Sequence, residues 1–292
     1  MIIFQLAHEH ARGDRLFETR VENFDQARNY LRNERGMRST QMQDCSSNIT
    51  REIQTLRGFF NSDSRFERAV AQYNPVGVRM NEADARRMLR IEDADRDLHL
   101  YGVALVGQRS ANILVLTDAG VAKPEREVET SRHELMHGLG HILRGDNTTY
   151  NINGRVRSIH TYRAFEEAMT NYVAASTFPN ETQRPMTYPF HTASMILMER
   201  VVGPQVLRSA IISENGDFSE VQRTLDRNLG SGTFERMMDS FAQNDPAGAF
   251  RVISERIREH PQYMDIYSDQ RMVRFVSTLT QLAQMRAQRN EN

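Results

Sequence analysis

Residues 133–137 read His-Glu-Leu-Met-His. Side chains four apart on an α-helix lie on one face, so two imidazoles at this spacing can bind one Zn²⁺, and the glutamate beside the first can polarise a water on the metal. His133 and His137 are therefore candidate metal ligands, and Glu134 is the candidate general base. The helix that carries them is expected to open at Lys123-Pro124-Glu125, because proline suits the first helical position and Glu125, Glu127 and Glu129 complement the positive end of the dipole. It should run to about Leu143. Val128, Leu135, Leu139 and Ile142 form an apolar stripe on it, and His133 stands about 200° round the helix from Leu135, which turns the histidines toward a cleft. The apolar run from Ile113 to Leu116 is expected to be the strand at the edge of that cleft.

A catalytic zinc takes three protein ligands and leaves a fourth position to water. His141 follows His137 by four, but eight residues of straight helix rise about 12 Å from His133, so His141 can join only if Gly138 and Gly140 break the helix. The pattern HExxHxxGxxH fails because position 143 is leucine. A second helix, expected from about Tyr162 to Thr177, offers Glu166 and Glu167. Ala164, Thr170, Asn171 and Ala174 surround Glu167 on its helical face, and such small neighbours allow close approach to the metal helix. Glu166 has the bulkier Tyr162, Arg163, Met169 and Val173 around it, so Glu167 is the preferred third ligand. Asn171, one turn on, is placed to accept from the far nitrogen of a ligand histidine.

These residues resemble the gluzincins, the thermolysin-type clan in which a ligand glutamate follows HExxH on a second helix. The thermolysin pattern Asn-Glu-x-x-Ser-Asp, laid on this chain, gives Glu166-Glu167-Ala168-Met169-Thr170-Asn171 and puts the ligand on Glu167; Asn171 departs from the family's aspartate. The chain is also similar to gluzincin toxins of the clostridial light-chain and anthrax lethal-factor types, the former through HELxH and Phe165-Glu166-Glu167. Another likeness is to bacterial gluzincin-like proteins, through Glu167, Thr170, Tyr172, Tyr188-Pro189 and a helical tail. Specific matching covers about residues 130–180. The resemblance implies a zincin-like fold, one Zn²⁺ per chain and hydrolysis of peptide bonds in protein substrates, with Glu134 carrying the proton from water to the leaving amine. It also implies a residue that stabilises the oxyanion, for which Tyr162, His160, Tyr188 and His191 are candidates.

The elements that must position these groups read as α+β: a small sheet, an active-site helix pair, and mainly helical N-terminal and C-terminal regions. Residues 1–95 form the helical N-terminal region, 96–190 the catalytic core, and 191–292 a helical C-terminal subdomain. Two apolar runs flank a polar break at Gln108–Ser110 and read as strands, and Arg144–Ile159 reads as a turn-rich loop. Cys45, the lone cysteine, excludes an internal disulfide and reads as a bystander. Asp93, Asp95 and Asp97 resemble half of a calcium loop that lacks its glycine and closing glutamate.

With 37 basic and 38 acidic residues the net charge is −1, which gives no global field for nucleic acid. No stretch is long and apolar enough for a membrane span, and the N-terminus lacks a signal-peptide pattern, so the chain is expected to be cytoplasmic as synthesised. Lys123 is the sole lysine among the basic residues. Such avoidance fits a bacterial effector or toxin that meets few ubiquitin attachments in host cytosol, or an ordinary lineage bias. Two other readings use the same residues: a regulatory protease of the ImmA/IrrE type, and a non-catalytic helical interaction module with a structural zinc.

Overall fold

The computed structural model describes residues 17–35, 41–89, 100–105, 107–120, 124–144, 149–152, 155–158, 163–178, 186 and 188–290. His160, Tyr162 and the aspartates at 93, 95 and 97 lie outside them. Mostly helical with a small mixed sheet, the chain is α+β, and it divides into two compact units, Met1–Asp146 and Asn147–Asn292.

In the first unit the order is β1 (Phe17–Thr19), α1 (Phe24–Asn33), β2 (Gln43–Asp44), α2 (Ser46–Phe59), α3 (Ser64–Tyr73), β3 (Val76–Met80), α4 (Glu82–Met88), β4 (Gly102–Leu105), β5 (Gly107–Ala111), β6 (Ile113–Thr117) and α5 (Pro124–Arg144). The main sheet runs β2-β3-β6-β4, with β3 parallel to β6 and the outer strands antiparallel to their neighbours. β6 is thus interior, not the edge expected of it: all five of its residues are buried, as suits a continuous apolar run. The edges belong to β2 and β4. The polar break between the two runs is itself strand β5, paired with β1.

Alternation along the strands separates the two faces of the sheet. Val76, Val78, Met80, Val103, Leu105, Ile113 and Val115 join Ala27, Leu31 and Ala85 in one core. Gly77 and Gly102 lie on the opposite face: a Cβ on Gly77 would stand 2.8 Å from Ile49 of α2, and one on Gly102 2.6 Å from the Thr130 methyl of α5. Here side chains of the helices fill the space that a strand side chain would need.

The second unit holds the hairpin β7 (Thr149–Ile152) and β8 (Arg155–Ser158), where the sequence reads as loop, then α6 (Arg163–Ser176), α7 (Pro189–Val202), α8 (Pro204–Ile211), α9 (Ser219–Leu229), α10 (Thr233–Ala242), α11 (Pro246–Arg258) and α12 (Gln270–Asn290). α6 is buried on every side from Ala164 to Ala175. Phe165 meets Phe218, just before α9, and Phe241 of α10 at 5.1 and 5.5 Å between ring centres, so aromatic packing from later in the chain locks α6 in place. Its far end is tied by Tyr172, which donates to the buried Glu199 at 2.6 Å, while Arg271 reaches the other oxygen of Glu199. No helix among the described residues is long and apolar enough to cross a membrane.

Candidate metal centre

α5 begins at Pro124, as the proline and the early glutamates require, and runs unbroken through Gly138 and Gly140 to Arg144. The break that would bring His141 to the same point is therefore missing. His141 is buried on the last turns, outside the group of potential ligands. The stripe expected of an amphipathic helix is also modified, since α5 buries polar residues as well as Leu135 and Leu139. Pairing makes this tolerable: the Arg132 guanidinium donates to Glu52 at 2.7 Å with both side chains under 10% exposed, and Glu127 accepts from Asn48 and Arg79. These bonds fix α5 against α2 and β3.

His133 and His137 sit one turn apart with their Nε2 atoms 2.9 Å from each other and their rings inclined at 78°. Nitrogens bound at about 2.0–2.1 Å to one tetrahedral ion lie roughly 3.3 Å apart, so a small rotation of the rings fits this pair to a metal. Glu134 points along β4. Its Oε2 accepts the backbone N–H of Ala104 at 2.8 Å, and its side chain is buried.

In the second unit, Glu167 is buried on α6. Thr170 and Asn171 both donate to its backbone carbonyl, at 3.1 and 2.7 Å, so the Asn171 amide nitrogen is used within its own helix. Glu166 is buried too, which size-based reasoning about the helical faces does not anticipate. One ligand atom from each of His133, His137 and Glu167 lies within 4.8 Å of the others. Two imidazoles and a carboxylate are a donor set that suits a divalent ion such as zinc.

Among the oxyanion candidates, Tyr188 and His191 are described. Tyr188 precedes α7 in the left-handed region at φ 51°, and its ring meets that of His191 edge-on at 5.2 Å. A non-glycine residue held there is strained. Cys45 is buried, and desolvation, partly offset by the Arg79 charge, pushes its thiol up to about 12, which leaves it a poor nucleophile.

Sequence reasoning misses two contributors. Ala104 acts through its backbone, which leaves no mark on residue type. Tyr73 of α3 is fully buried against Gly138: a methyl on Gly138 would fall inside the Tyr73 ring and 2.7 Å from its hydroxyl oxygen. Burial, then the Glu134 charge, pushes the Tyr73 phenol well above its ordinary range. A glycine in mid-helix directly after the motif is the signal that was available for this contact. Compared with protein-family models, with curated proteins and with solved structures, the chain finds no match.

Proposed function

We propose that this chain is a zinc-dependent metalloendopeptidase acting on protein substrates, with a zincin-like arrangement of sheet and helices. One observation carries the reading: His133, His137 and Glu167 present ligand atoms within 4.8 Å of one another, and Glu134 stands beside the first of them. In this reading His133, His137 and Glu167 hold the ion. Zinc, when bound, supplies a Lewis acid that polarises the scissile carbonyl and lowers the pKa of water. Glu134 takes a proton from the attacking water and delivers it to the departing amine.

The test joins metal content with cleavage. Wild-type protein should carry about one zinc per chain and cut members of a proteome-derived peptide library. Glu134→Gln should keep the zinc and lose at least a hundredfold in cleavage, as expected of a general base. Equal cleavage by both proteins would remove Glu134 from its role. Zinc uptake without cleavage by the wild type would leave a structural metal module.

A further inference from the structure

A carboxylate beside a metal-ligating histidine has the same donor chemistry as the third ligand. An ion held by His133, His137 and Glu167 would leave one position of a tetrahedral set to fill, and Glu134, adjacent to His133 on the same helix, is a carboxylate that could take it. If it did so, the centre would close and become structural. We propose that the Ala104 N–H is a positioning group that holds Glu134 away from the ion and so keeps one coordination position open. This inference rests on the metal-centre reading above.

The argument begins in the sheet ladder. In an antiparallel pair, successive residues point their N–H and C=O groups alternately toward the neighbour and away from it. Thr117 N–H donates to the Tyr101 carbonyl at 2.9 Å, and the register pairs Val103 with Val115 and Leu105 with Ile113. The odd-numbered residues therefore face β6. Gly102 and Ala104 turn their backbone groups outward, along the open edge of the sheet.

α5 matches this edge turn for turn. Four helical residues rise about 6 Å and two strand residues about 6.6 Å, so Thr130 and Glu134 fall beside Gly102 and Ala104. The Thr130 methyl occupies the space a side chain on Gly102 would need. One turn later the Ala104 N–H meets Glu134 Oε2 at 2.8 Å. A further turn on, the Tyr73 ring fills the place of a side chain at 138. Glu134 thus has one oxygen fixed to the strand by a bond to a charged acceptor in a buried setting, the stronger kind of hydrogen bond.

Proline at 104 isolates the effect, since it removes this N–H and no ladder bond, and outward edge positions tolerate proline. Wild-type protein loaded with Co²⁺ should bind acetohydroxamate, read as a shift in visible absorption. Ala104→Pro should bind Co²⁺ yet take acetohydroxamate at least tenfold more weakly, with Glu134 in the vacated position. Ala104→Pro/Glu134→Gln should recover the wild-type affinity. Equal affinities in wild type and Ala104→Pro, or no recovery in the double variant, overturn the proposal. Wild type that takes up no Co²⁺ overturns the metal-centre reading itself, a different result. Should Ala104→Pro fail to fold, hydrogen exchange of the Ala104 amide decides. Protection that persists in zinc-loaded wild type and falls at least tenfold in Glu134→Ala supports the tether. Protection lost when zinc is loaded overturns it.

Discussion

Glu166 and Glu167 are adjacent, chemically identical and both buried, and Glu167 is the one grouped with His133 and His137 as a possible metal ligand. Burial therefore does not separate them, and direction does: neighbours in a helix point about 100° apart. Glu167→Ala should cut the zinc content from about one per chain to a small fraction, with Glu166→Ala retaining it, as measured by metal mass spectrometry. The reverse pattern would move the ligand to Glu166. The preference for Glu167 over Glu166 is argued in the sequence from Ala164, Thr170 and Ala174 around it, whereas the Ala104 N–H bond to Glu134 leaves no mark there, because a backbone N–H is common to every residue but proline.

Gly138 shows how α5 and α3 constrain one another. Alanine favours a helix interior over glycine by roughly 1 kcal/mol, but forcing a methyl into the Tyr73 ring costs about 1–3 kcal/mol in a packed core. Gly138→Ala should therefore lower the melting temperature, and an unchanged or raised value would mean that Tyr73 moves aside freely. The Arg132 to Glu52 bond between α5 and α2 makes a second case. Arg132→Ala removes the buried partner of Glu52, whose other oxygen still pairs with the exposed Arg51, and should cost about 1–3 kcal/mol in chemical denaturation; Glu52→Gln/Arg132→Met, which leaves neither member of the buried pair charged, should cost less. The limits of α5 and α6 were legible because Pro124 and the Phe178-Pro179 pair punctuate them. β3 was not, since Val-Gly-Val-Arg-Met is too short to show a period and gains its place only by pairing with β6. The β7–β8 hairpin was hidden for a related reason: its asparagines and glycine signal turns, and the strands they connect are four residues each. The error at β6 came from reading order along the chain as order in the sheet.

The two units carry separate charge and packing devices. In the second, Arg271 binds Asp269 and Glu199 together, and it donates to Ser176 at the end of α6. Burial alone would lift the Asp269 carboxyl, but hydrogen bonds and charge from Arg271 outweigh it and hold Asp269 below its ordinary range. A carboxyl depressed in the folded state adds stability above its unfolded pKa of about 3.9, and that stability is lost as pH falls through the lower folded value. Asp269→Asn should therefore melt below wild type at pH 7, with the gap closing below about pH 4; a gap independent of pH would assign it to packing. In the first unit, Cys45 stands just before α2 and is buried next to Gly77 of β3. Because the chain has no other cysteine, the rate at which excess thiol reagent labels native protein is a clock for the openings that expose the start of α2. Followed beside a whole-chain melting curve, it separates local opening around Cys45 from unfolding of the molecule as a whole.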